Sequence, residues 1–248
     1  MMNLVFFDIK NFIRNNRLIY VLVTFINRIV KSFTHNKELF LTHLNEQNVF
    51  NEIYHNNYWG SGESKSGGGS TLDGTRIIRE ELPNVILKYD IKTILDIPCG
   101  DFNWMKRVDL KCNYIGADLV SELVDSNNRN YENEYRRFEV LDSTMSALPC
   151  VDLIFCKDLL QHLSYVSVLN ALRNFKKSGS KYLLVTSYPY TIRNYDIHDG
   201  DFRCLNLFIY PFNLKNPLLK IHEFTRYHIK GVEVDKTMYL IDLHNATI

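Results

Sequence analysis

Four acidic residues recur at similar places along the middle of the chain: Asp96, Asp118, Asp142 and Asp158. Each ends or follows a short run with strand character: Thr93–Ile97, Asn113–Asp118, Arg137–Leu141 and Leu153–Cys156. In an open parallel sheet the strand ends gather on one edge, and ligands bind there. A carboxylate ending the second strand can accept two hydrogen bonds from ribose hydroxyls. One after the third strand can accept from an adenine amino group. Gly100, after the first strand, would let a ligand approach the backbone.

A nicotinamide enzyme would need Gly-x-Gly-x-x-Gly with a helix N-terminus facing pyrophosphate. The chain has Cys99-Gly100-Asp101-Phe102-Asn103-Trp104 instead. Asp101 is negative where pyrophosphate would sit. Asp96 and Asp101 therefore favour a cationic ligand, such as an adenosyl cofactor with a sulfonium and an α-amino group.

Asp158 and His162 are the candidate catalytic pair. Four residues apart, they share one face if the segment is helical. His162 could take the proton of a hydroxyl nucleophile while Asp158 orients or charges it. The structural alternative has His162 capping or packing a helix and Asp158 contacting only the cofactor. Residues 189–206 follow the fifth strand, where an acceptor would bind. Tyr188, Asn194, Asp196 and Arg203 are the expected acceptor contacts, and Arg203 could also grip a phosphate. A solvated polar loop with a structural Arg203 is the competing reading. Asp196, His198, Asp199 and Asp201 would permit a divalent ion, but nothing fixes a ligand geometry, so no metal site is assigned.

The elements that must position these residues alternate. After the first four strands come Tyr182–Ser187, Lys220–Phe224 and Met238–Leu243, with helical or loop stretches between the first five. That order implies an α/β fold, a mostly parallel sheet with helices on both faces. A helix is expected from Thr71 or Asp73, with Pro83 kinking or dividing it. Before it lies the Gly-rich segment 60–70. Its composition suits a flexible linker, or a backbone that approaches a cofactor closely. Residues 35–58 are polar, with an aromatic rhythm at Phe40, Phe50, Tyr54, Tyr58 and Trp59. Residues 3–33 read as amphipathic helix with a basic polar face, suited to packing on the domain, on a second copy of the chain, or on an anionic membrane surface. The expected division is an N-terminal helical extension, 1–57, and a main domain, 58–248.

Composition bounds the rest. The chain has 248 residues, 46% hydrophobic and 23% charged, which is enough for one sizeable core. A net charge of +1 without a basic stripe argues against nucleic acid as a partner. The five cysteines are odd in number and form no CxxC, so a reducing cytoplasm is the simplest setting. Contact of residues 3–33 with the inner face of the membrane is compatible with it. No apolar run is long enough to span a bilayer, and no signal peptide is recognisable.

The segment Asp96-Ile97-Pro98-Cys99-Gly100-Asp101 resembles motif I of class I S-adenosylmethionine-dependent methyltransferases, departing at the second glycine. Tyr114–Asp118, Phe138–Asp142 and Val151–Ser164 are similar to the motifs that follow it. The likeness covers residues 58–243. The runs Trp59–Ser70, Leu95–Met105, Lys157–Ser164, Asn194–Ile197 and Arg203–Leu207 look like a bacterial and viral subgroup associated with capsule, lipopolysaccharide and other glycan biosynthesis. The resemblance implies a Rossmann-like fold with a seven-stranded sheet and S-adenosylmethionine as cofactor. It would be held by Asp96, Pro98, Cys99, Gly100, Asp101, Trp104, Asp118, Leu119, Asp142, Ser143, Lys157 and Asp158. It also implies O-methylation of a sugar, glycan or sugar-nucleotide acceptor. A non-sugar small molecule or a protein is the second acceptor class. A scaffold without activity is the third reading, disfavoured by the retained acid set.

Overall fold

The computed structural model describes residues 46–59, 61–223, 228–229, 232–233 and 235–247. The amphipathic segment 3–33 lies outside them. The chain divides into two compact units, 1–43 with 228–232, and 44–227 with 233–248; apart from His228, Ile229 and Val232, everything that follows concerns the second.

All seven expected strands form, each within a residue or two of its predicted limits. They are β1 (Thr93–Asp96), β2 (Asn113–Asp118), β3 (Arg136–Val140), β4 (Leu153–Cys156), β5 (Tyr182–Ser187), β6 (Leu219–Glu223) and, after the two-residue strands β7 (His228–Ile229) and β8 (Val232–Glu233), β9 (Lys236–Asp242). Their order is β3-β2-β1-β4-β5-β9-β6, with β7 and β8 apart as a ribbon. The first five are parallel, and β9 runs antiparallel between β5 and β6. Chain order reverses between β1 and β4, the place where such sheets open a crevice.

Burial on both faces explains the continuous apolar strands. Ile94, Phe138, Leu153, Phe155 and Leu184 form one core with Ile78, Leu82 and Val85 of helix α2 (Arg76–Lys88) and Val124 of helix α3 (Ser121–Tyr131). The alternate residues Leu95, Ile154, Leu183 and Val185 are equally buried and point to the other face. Helix α4 (Tyr165–Lys177) buries Val168, Ala171, Leu172 and Phe175.

Two local expectations need correction. Pro83 neither divides nor ends α2, which runs unbroken through it. The helix also starts at Arg76 rather than after Thr71 or Asp73. Thr71 is engaged in the preceding turn, where its hydroxyl donates to the Gly68 carbonyl at 2.9 Å and accepts from the Gly74 N–H at 3.0 Å. Helix α1 (Glu46–His55), expected in the N-terminal extension, belongs to the same compact unit as the sheet. It packs closely there, since a Cβ on Gly200 would come within 2.4 Å of Val49 Cγ1.

Candidate active site

A cavity of about 1000 Å³, part of it open to solvent, lies at the carboxyl ends of β1, β2 and β4. Of the residues expected around a cofactor, Asp96, Pro98, Cys99, Gly100, Trp104, Asp118, Leu119, Asp142, Ser143, Lys157 and Asp158 all line it.

Asp96 ends β1 and is buried, with Oδ2 accepting from the Tyr114 hydroxyl at 2.5 Å. Burial pushes its pKa up to about 8; the neighbouring Asp118 adds to the rise, while the Tyr114 bond and Lys157 oppose it. The turn after Asp96 needs glycine. Gly100 has φ +56°, and a Cβ there would come within 2.3 Å of Ser66 Oγ. Asp118 braces this turn: Oδ2 accepts from the Gly100 N–H at 3.0 Å and Oδ1 from the Val120 N–H at 3.1 Å. The Leu119 N–H also bonds this carboxylate, which still keeps some acceptor capacity. Asp142 Oδ1 accepts from the N–H and hydroxyl of Thr144, at 2.7 and 2.6 Å.

Asp101 is the exception among the cofactor residues. It does not line the cavity. Its carboxylate accepts from Ser64 Oγ at 3.0 Å and the Lys65 N–H at 2.9 Å. Asp101 thus ties the Gly-rich segment to the β1 turn. That segment is a site element: Lys65, Ser66 and Ser70 line the cavity, and the Gly69 carbonyl accepts from Lys157 Nζ at 2.9 Å.

The Asp158–His162 pair does not take the expected form. Asp158 has φ +58°, residues Leu160–His162 form a short 3₁₀ turn, and the helix begins only at Tyr165. No shared helical face brings the two together. Asp158 Oδ2 accepts from Lys157 Nζ at 2.5 Å and Lys236 Nζ at 2.8 Å, while Oδ1 accepts from Gln161 Nε2 at 2.9 Å. Burial would raise its carboxyl, but the two ammonium groups overcome that and hold it well below the usual carboxylate range.

His162 instead bonds the Asp201 carbonyl through Nδ1 at 2.8 Å. A carbonyl only accepts, so Nδ1 carries the proton and Nε2 keeps its lone pair. Burial lowers the imidazole pKa against the opposing pull of that bond and of Asp158. Trp59 packs against the ring at 5.0 Å between centroids, tilted by 40°, and Phe202 lies at 5.4 Å. The site thus holds a half-buried, neutral, tautomer-fixed histidine in a cavity wall.

The four expected acceptor contacts do not line the cavity. Asn194 is buried, donating to the carbonyls of Asn206 and Tyr210 at 2.8 and 3.0 Å and accepting from the Asn206 N–H at 2.9 Å. Asp196 accepts from the Tyr165 N–H at 2.7 Å, capping α4 beside the N-cap Ser164. Arg203 is 1% exposed, donates to the Leu163 carbonyl at 2.5 Å, and lies 5.3 Å from the Tyr165 ring centroid. Tyr188 is buried with its ring edge-on to Phe202 at 6.3 Å. Asp199 also serves α4, accepting from the Ser164 N–H and the Ser167 hydroxyl. Among the described residues no group of three or more His, Cys, Asp or Glu side chains could hold a metal ion.

Further lining comes from residues not singled out as cofactor or acceptor contacts: Phe50 and Tyr54 of α1, Trp59, and Lys65 of the Gly-rich segment. The four-residue spacing of Phe50 and Tyr54 was the visible signal. Glu223 and Lys236, which meet Lys157 and Asp158, gave no signal at all.

No protein-family model matches the sequence, and no curated protein matches it significantly. Solved structures do resemble the fold. Magnesium protoporphyrin IX methyltransferase from Synechocystis PCC 6803, with bound S-adenosylmethionine, aligns over 79% of this chain and 96% of its own, at 12% identity and a TM-score of 0.51. The N-methyltransferase NodS from Bradyrhizobium japonicum WM9, in complex with S-adenosylhomocysteine, covers 77% and 97%, at 14% identity and a TM-score of 0.53. The 1,6-didemethyltoxoflavin N1-methyltransferase of Burkholderia thailandensis, with that substrate and S-adenosylhomocysteine bound, covers 78% and 85%, at 12% and 0.53. With its strand order and its cavity at the strand ends, the chain has the class I S-adenosylmethionine-dependent methyltransferase fold.

Proposed function

We propose that the protein is an S-adenosylmethionine-dependent O-methyltransferase acting on a sugar hydroxyl of a surface glycan or its precursor. The observation that carries the chemistry is the pairing, in one cavity, of the ordered acids Asp96, Asp118 and Asp142 with the neutral base His162.

The cavity suits the cofactor. Four aspartates in the lining, Asp96, Asp118, Asp142 and Asp158, disfavour a pyrophosphate and favour a ligand with positive charge, which would also draw Asp96 into its ionised form. Gly100 lines the cavity beside Ser66, and Asp118 and Asp142 keep acceptor capacity for ribose and adenine. S-adenosylmethionine would supply an electrophilic methyl group on a sulfonium.

His162 does the acid–base work. Its Nε2 lone pair receives the acceptor hydroxyl proton, while the Asp201 carbonyl holds Nδ1–H and so fixes the ring. Asp158 remains ionised, with both oxygens bonded and its pKa held low by Lys157 and Lys236, so it serves as an anchor and not as a base. Trp59 packs against the imidazole at a tilt of 40° and limits the ring's movement. A base of this kind suits a hydroxyl, which is a poor nucleophile until deprotonated; a neutral amine needs none. The sugar reading rests on the resemblance of the segments quoted above.

Mass spectrometry of surface glycan from a deletion strain and its parent tests this reading. The expected outcome is loss of one O-methyl mass increment, restored by the wild-type gene and not by His162→Ala. Identical glycan masses would reject the sugar assignment.

A further inference from the structure

Three buried charges, Lys157, Glu223 and Lys236, meet the half-buried Asp158 at the cavity wall, and the chemistry above uses only Asp158. Lys157 and Asp158 follow β4, Glu223 ends β6 and Lys236 begins β9. Glu223 and Lys236 face each other in the β6–β9 register, so this strand pair delivers them together. Lys236 Nζ donates to Asp158 Oδ2 at 2.8 Å. Glu223 lies 3.7 Å from Lys157 Nζ and 3.4 Å from Lys236 Nζ, with its side chain 1% exposed. Neither Glu223 oxygen makes a hydrogen bond.

Two carboxylates and two ammonium groups balance, as burial demands. Such a cluster is still a poor device for stability, because an apolar set of equal volume would hold a fold as well or better. Its outlet is Asp158. Asp158 Oδ1 accepts from Gln161 Nε2, and Gln161 belongs to the same turn as His162. That turn is pinned again from the other side: the Gln161 and His162 carbonyls accept from the N–H groups of Arg203 and Gly200.

We propose that Glu223 and Lys236 are positioning residues for His162: through Asp158 they anchor the turn that carries it and set the balance of charge around its ring. The proposal rests on the reading of His162 as the base. Charges that reach His162 are Asp158 from its own segment and Asp201 and Arg203 from the following loop; Trp59 and Phe202 flank it as neutral rings. Removing the Lys236 ammonium leaves Asp158 less compensated, which stabilises the imidazolium. Removing the Glu223 charge does the reverse. A scaffold role alone would not give two shifts of opposite sign.

The test is an NMR titration of the His162 ring in the full chain, assigned with His162→Gln, for wild type, Glu223→Gln, Lys236→Met and the double variant. The expected result is a rise of about half a pH unit in Lys236→Met, a fall of about the same size in Glu223→Gln, and near cancellation in the double variant. The acid limb of kcat should move with the ring. Unmoved titrations, or two shifts of the same sign, overturn the proposal even where His162→Ala abolishes turnover. Opposite shifts with full turnover in His162→Ala would overturn the assignment of the base and leave the coupling standing. Should Lys236→Met fail to fold by its melting curve, the near-isosteric Glu223→Gln decides alone: a fall supports the proposal and no change overturns it.

Discussion

The two ends of the cavity were built differently. At the cofactor end, the acids stand where consecutive strands stop, and topology places them. Asp96 ends β1, Asp118 ends β2, and Asp142 lies two residues after β3. At the acceptor end the wall is assembled from distant segments, α1, Trp59, the Gly-rich stretch and the His162 turn. The loop after β5, which carries the most sugar-friendly residues, spends them on itself and on α4. A side chain at a strand end has its place set by local order; a loop side chain has its place set by whatever its own backbone needs.

Breaking the acceptor end first should give the largest effect. His162→Ala is expected to lower kcat by about 1000-fold. Its affinity for S-adenosylmethionine, read by calorimetry, should stay within about threefold, well under 1.4 kcal/mol. Full turnover in that variant would remove the base from the account. At the cofactor end, Asp118→Asn places an amide N–H₂ against a backbone N–H and takes a charged acceptor from the ligand. Affinity should fall by about 100-fold, from one or two charged hydrogen bonds.

A pH series separates the two ends without mutation. Asp96, with its pKa raised to about 8, is mostly protonated in the empty site at pH 7. A cationic ligand favours the ionised form, so binding releases a proton. Affinity should tighten by about tenfold per unit as pH rises towards 8 and level off above it. A flat series between pH 6.5 and 8.5 would place the positive charge of the ligand away from Asp96.

The smallest effect sharpens the contrast. Asp196 caps α4 and does not line the cavity. Asp196→Ala should cost about 1 kcal/mol of stability, a fall in Tm of about 2–4 °C, with kcat and KM unchanged. A raised KM with unchanged Tm would return Asp196 to the acceptor.

Much of this was legible in the sequence, and the exceptions have physical causes. The central strands β1, β2, β4 and β5 could be read because buried parallel strands are largely apolar runs that end in polar residues, while β6 showed as an alternating run. Asp101 was misplaced because one carboxylate beside a glycine can turn either into the cavity or back to a neighbouring loop. Its partners, Ser64 and Lys65, stand more than thirty residues away. The helical reading of Asp158–His162 failed because spacing does not reveal a residue at φ +58°. Glu223 and Lys236 were invisible because strand register alone brings them together.

The central claim is that the strand-end acids form a site for S-adenosylmethionine. Isothermal calorimetry of the full chain with S-adenosylmethionine at pH 8 tests it most directly. The account predicts saturable binding of one molecule per chain, weakened about 100-fold by Asp118→Asn. Absence of binding, or equal binding by Asp118→Asn, would contradict it.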